Sequence, residues 1–214
     1  MSIRKMRVLC LNVCAILVAY AVVQAYGDST IDLNPVIISP FLSNSNNTLL
    51  VMDLMKKHFD DSLKYLYTSK QYGSQFVERP GMAKLLMDAS DNQWEEGLDF
   101  LKKYLQRGGT LDENFVLSFT GKGELTLDNT EVIADKYVNT LKDIVIDSIS
   151  RSHKMNKMHH VASKWRHGDP EIGHFLDNKL KAEAEYTRKM AGHVVTLKKM
   201  KTLGVALNMF DANL

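Results

Sequence analysis

The residues best suited to chemistry lie in one run, "MDASDNQWEEGLDFLKKYLQRGG", residues 87–109. Its acids fall at Asp88, Asp91, Glu95, Glu96 and Asp99, with Asn92 among them. On a helix, positions 88, 91, 92, 95 and 99 share one side. Helices do not normally align like charges, because each i,i+4 repulsion costs about 0.2–0.5 kcal/mol. The row reads in three ways: a solvated surface, a catalytic metal site, or a place where a hard cation collects on carboxylate oxygens without being transformed.

Positioning such a row requires helices, and the chain supplies them. Residues 47–73 carry Leu50, Leu54, Met55, Phe59, Leu63 and Leu66 at helical spacing. "ERPG" interrupts the pattern, and Pro80 is placed to open a second helix that runs to about 107 and stops at Gly108-Gly109. Residues 110–127 read as loop, with "FVLSF" as a short run able to pair as a strand. A third helix is predicted over 128–166, with Asp128 as N-cap and Glu131 completing a capping box. "HGDP" ends it, and Pro170 begins a fourth helix reaching about 201. "LGVALNMFDANL" makes a short fifth element. The methionines read as core filler. The fold class is all-α: a four-helix bundle with one long crossover between helices two and three, plus a short fifth helix.

The first 25 residues stand apart. Arg4, Lys5 and Arg7 precede "VLCLNVCAILVAYAVV", and Val23 and Ala25 give small residues before Tyr26, as in a cleaved signal peptide. A single membrane anchor is the competing reading. Cleavage removes three basic residues and no acids, taking the formal charge from +2 to −1, and nothing in that balance suggests nucleic acid. It also removes both cysteines, Cys10 and Cys14, although the secretory route permits disulfides. Asn46-Asn47-Thr48 is an N-glycosylation sequon, which has meaning on that route. The domain layout is a signal peptide over 1–25, an irregular arm over 26–45 and a helical-bundle domain over 46–214.

Four segments carry a resemblance: "YLYTSKQYGSQFVERPGMAKLLMDASDNQW", "LQRGG", "DPEIGHFLD" and "KMAGHVVTLKKM", with "ALNMFD" echoing the start of a fifth helix. In this order and spacing, over about residues 47–212, they resemble ferritin, and more narrowly the secreted subunits of insects and other arthropods. The resemblance implies a ferritin-like bundle in a hollow shell of 24 subunits that stores iron as ferric oxyhydroxide. In such shells some subunits oxidise Fe(II) at a di-iron site inside the bundle, and others lack it.

The positions matching that site depart from the family pattern. The first-helix glutamate falls at His58, while the site tyrosine is kept as Tyr65. The second-helix Glu-x-x-His pair falls on Gln93 and Glu96, the third-helix glutamate on Ser148 or Ser150, and the fourth-helix glutamine on Glu183. Asp147 is one residue off, a turn of about 100° on a helix. The resemblance therefore implies a light-chain type, not itself an enzyme. Asp88, Asp91, Asn92 and Glu95 match positions that face the shell interior and hold ferric iron during mineral nucleation. His159, His174 and Asp177 match the lining of three-fold channels, with His174 where an acid is common. His167 reads as a helix-end residue and His193 as structural. The implied partner is a ferroxidase-bearing, heavy-chain-type subunit. The cargo is iron, with no membrane contact after signal cleavage. The protein is expected to be secreted or held in the ER or Golgi lumen. The arthropod pattern usually has cysteines linking subunits, and none follows Cys14. Two alternatives stay open: an atypical ferroxidase centre built from His58, Tyr65, Gln93, Glu96 and Glu183, or a scaffold that has left iron storage.

Overall fold

The computed structural model describes residues 38–75, 77–111, 115, 133–164, 168–200 and 204–214. The signal peptide, most of the arm, the Asp128 capping box, His167 and all of "FVLSF" but Phe115 lie outside these residues. Among the described residues there are five helices and no strand: α1 (Ser45–Tyr72), α2 (Pro80–Gln106), α3 (Ile133–Ala162), α4 (Pro170–Met200) and α5 (Gly204–Ala212). None of them is long and apolar enough to cross a membrane.

Local chemistry explains the helix ends. α1 starts two residues before its expected position because Asn44 serves as N-cap, its side-chain oxygen accepting from the Asn46 N–H at 3.0 Å. α2 opens on Pro80 but has no side-chain cap of its own. Asp211 of α5 supplies one, accepting from Gly81 N at 3.1 Å and Met82 N at 2.9 Å. α2 stops where Gly108 takes φ 83°, a left-handed conformation open to glycine at little cost. α3 ends at Ala162, short of the expected 166, where the Ala162 carbonyl accepts from Asp169 N at 2.8 Å. Asp169 then caps α4 through Glu171 N and Ile172 N, and accepts from Arg107 Nη2 at 2.6 Å.

α1 packs against α2, α3 packs against α4, and the two pairs join where α1 meets α3. The fifth helix is docked: Ala206, Leu207 and Phe210 are buried, while Val205 and Met209 are exposed. Tyr137 donates to Asp211, fixing α5 to α3 as well as α2. His193 of α4 meets Phe210 edge-on at 5.9 Å.

The core falls into two apolar clusters. One holds Tyr65, Met82, Leu86, Leu141, Ile144 and Met190. The other holds Leu54, Phe59, Phe100, Met155, Met158 and Leu176. On every long helix the residues between these clusters are polar and buried: His58 and Asp61 on α1, Ser90 and Gln93 on α2, Ser148 and Arg151 on α3, Glu183 on α4. A polar layer thus crosses the middle of the bundle.

Candidate functional site

Arg151 sits at the centre of this layer with no solvent exposure. A buried guanidinium costs several kcal/mol in lost hydration unless its donors are satisfied by counter-charges. Here Nη1 donates to Asp61 Oδ2 at 2.5 Å, and Nη2 and Nε donate to Glu183 Oε1 at 2.8 and 3.2 Å. Tyr65 OH stands 3.5 Å from Nη1. Burial works against the charge of Arg151, but Tyr65, Glu183 and Asp61 outweigh it and hold the guanidinium protonated. Glu183 also accepts from Ser148 Oγ at 2.5 Å.

The charges continue outward in alternation. Lys57 bridges Asp61 at 2.7 Å and Asp147 at 2.8 Å, and Lys64 reaches Asp147 at 2.8 Å. The sequence Lys64, Asp147, Lys57, Asp61, Arg151, Glu183 pairs three cations with three carboxylates. Within it the acids differ. Burial raises Asp61 above the usual carboxylate range despite Arg151. At Asp147 burial also pushes upward, but hydrogen bonds from Lys57 and Lys64 win and lower it.

The five residues of the atypical centre do not converge on one point. Tyr65 and Glu183 face Arg151. His58 pairs with Gln93, Nδ1 to Oε1 at 2.8 Å, and stacks on Phe100 at 5.2 Å. Burial, with help from the Arg151 charge, lowers His58 to about 3, so its imidazole is neutral at physiological pH. Glu96 turns to Lys179 at 2.8 Å, and the same ammonium holds Asp99 at 2.9 Å. Among the described residues no three His, Cys, Asp or Glu side chains are arranged to hold a metal ion.

The acidic row divides. Asp88, Asp91, Asn92 and Glu95 are exposed on α2 with no side-chain hydrogen bond among the described residues, whereas Glu96 and Asp99 lean toward α4 and Lys179. At the far end of the α3–α4 pair, His159 Nε2 lies 2.9 Å from Asp177 Oδ1, and His174 Nδ1 lies 3.9 Å from Asp177 Oδ2. These three predicted residues do come together within a single chain.

Sequence reasoning missed Arg151, Asp61 and Lys179. The signal for Arg151 was present: positions 144, 148, 151, 155 and 158 form the buried stripe of α3, and an arginine on such a stripe calls for acids on the facing helices. Asp61 lies on the buried stripe of α1 with His58 and Tyr65, facing that arginine.

No protein-family model matches the chain. It is 30% identical over 182 residues to a ferritin light chain of Trichoplusia ni, covering 79% of this chain and 75% of that one. It is 24% identical over 199 residues to a ferritin light chain of Drosophila melanogaster, covering 89% and 85%. A ferritin heavy chain of Aedes aegypti matches at 27% over 168 residues, 74% of each. Among solved structures, the Trichoplusia ni secreted ferritin aligns with a TM-score of 0.67, covering 83% of this chain and 86% of that one. Their sequences are 22% identical, so this likeness speaks for the fold alone.

Arg151→Ala is expected to destabilise the fold by about 3–5 kcal/mol, since it strands buried carboxylates. The triple change of Arg151→Met, Asp61→Ala and Glu183→Leu should recover most of that loss. Urea midpoints measure both, and a loss under about 1 kcal/mol for Arg151→Ala would show that the guanidinium is not the keystone. For His58 the unfolded state binds a proton that the folded state refuses. Stability therefore falls as pH drops from 6.5 toward 3, by about 1.4 kcal/mol per unit from this residue. His58→Gln should flatten that slope in unfolding experiments at stepped pH.

Proposed function

The chain belongs to the ferritin family, and from that premise we propose that it is a light-chain-type subunit. In this reading it builds shell and nucleates mineral but leaves iron oxidation to a partner. A ferroxidase centre needs carboxylates and imidazoles free to bind two irons inside the bundle. The observation that carries the reading is the occupation of that layer by Arg151, which holds Asp61 and Glu183 at 2.5 and 2.8 Å. Lys179 ties down Glu96 in the same way. An incoming Fe(II) would have to displace a buried guanidinium from its counter-charges; His58 and Gln93 share one hydrogen bond, and the Nε2 atom of each lies buried without a partner among the described residues.

Iron reaches this subunit as cargo. Asp88, Asp91 and Glu95, with Asn92 among them, offer hard oxygens that no lysine or arginine among the described residues pairs with. Exposed carboxylates of this kind can pass oxygens to a growing ferric oxyhydroxide lattice. His159, His174 and Asp177 would line the three-fold channels by which Fe(II) arrives, each repeated three times round the axis. Ferritin relatives form multi-subunit shells. The partner in this reading is a heavy-chain-type subunit in a shell of 24. The route is secretory, with residues 1–25 removed as a signal peptide and the mature protein exported or kept in the lumen.

Stopped-flow oxidation at about two Fe(II) per subunit tests the division of labour. The assembled chain alone should give a slow trace without a burst. Mixed with an active ferroxidase subunit, it should form mineral faster than that subunit does by itself. The variant Asp88→Asn, Asp91→Asn, Glu95→Gln should lose the acceleration and keep the shell. A fast burst from the chain alone, abolished by Glu96→Ala, would mean that the bundle still works as a metal site.

A further inference from the structure

We infer that Asn46 carries an N-linked glycan and that this end of the bundle faces the exterior of the assembled shell. The inference rests on the reading that the chain enters the secretory route. Asn46-Asn47-Thr48 is the single Asn-x-Ser/Thr sequon in the 214 residues. It falls at the start of α1, in a cluster with three asparagines whose side chains are used differently. Asn44 is spent as the N-cap. Asn47 is buried and donates through Nδ2 to the Phe41 carbonyl at 2.9 Å. Of the three, Asn46 alone is exposed with no side-chain hydrogen bond among the described residues, its backbone N–H donating to Asn44 Oδ1.

The rest of the sequon faces inward. Thr48 donates from Oγ1 to the Leu42 carbonyl at 3.0 Å, and with Asn47 it fastens the turn before α1 to the helix. The hydroxyl that marks the sequon is therefore free in the unfolded nascent chain, where the sugar is attached, and becomes committed on folding. On α1, Asn46 shares its side with Asp53, seven residues on and exposed, and lies away from the buried stripe of Val51, Leu54 and His58. A glycan rooted there would start from an exposed position ahead of the α1 residues that reach α3, such as Asp53 with Lys154 at 2.6 Å. It is bulky and hydrophilic, so it cannot be sealed into a tight contact between subunits. Inside the proposed shell it would take up volume meant for mineral, so the reading places the start of α1 at the outer surface.

The full chain should be expressed in a secreting insect cell, with its partner subunit, and recovered from the medium as an assembly. Native assemblies treated with peptide N-glycosidase should lose mass from this chain. Asn46→Gln and, independently, Thr48→Ala should lack the same mass and still assemble. A secreted chain of unmodified mass would overturn the glycan and leave the secretory reading standing. A chain held in the cytosol would overturn that reading and the glycan with it. Release of sugar only after the shell is taken apart would overturn the exterior placement.

Discussion

A guanidinium shut away from water has to bring its counter-charges with it, and the middle of this bundle is organised around that need at Arg151. Its donors reach α1 through Asp61 and α4 through Glu183, so one side chain of α3 ties three helices together. Those carboxylates in turn constrain their neighbours. Asp61 shares Lys57 with Asp147, and Asp147 collects Lys64 and the Tyr65 hydroxyl. The result is a neutral chain of alternating charges running from the fully buried Arg151 out to Lys64, whose side chain is 42% exposed. The apolar clusters can be well packed on either side because the layer between them leaves little charge uncompensated. Such a network adds less net stability than an apolar replacement would, but removing one member strands the others.

This arrangement separates two uses of acidic groups. The carboxylates inside the bundle are answered by the protein's own cations, at Arg151, Lys57, Lys64 and Lys179. Those at Asp88, Asp91 and Glu95 are exposed and make no ion pair among the described residues. A cation from outside has a place to bind only where the chain has not already supplied one. The histidines follow the same division. His58 is kept neutral by burial beside Phe100 and Gln93, whereas His159 and His174 stand near Asp177 at the end of the α3–α4 pair.

Much of the fold was legible in the sequence because its determinants are local. Pro80, Pro170 and Gly108-Gly109 mark helix ends by backbone chemistry alone, and the apolar spacing of α1 and α2 needs no distant partner to be read. α3 was harder. Its end depends on the Ala162 carbonyl meeting Asp169 N, a contact seven residues away across a turn. The resemblance to ferritin directed attention to His58, Gln93, Ser148 and Glu183, and all four lie in the polar layer. Helical spacing says which side a residue takes, but not what stands opposite on another helix. Glu96 meets a lysine 83 residues away, and Arg151 answers an aspartate 90 residues away. The α5 latch was hidden for the same reason: nothing local at Asp211 announces that it caps α2.

We place the protein's own cations where a ferroxidase centre would hold iron. Anomalous X-ray scattering at the iron edge, from crystals of the assembled protein loaded with Fe(II) in air, tests it most directly. The expected maps place iron beside Asp88, Asp91 and Glu95, with Arg151 still on Asp61 and Glu183 and no peak in the polar layer. An iron peak between His58, Glu96 and Glu183, with the guanidinium swung aside, would contradict it.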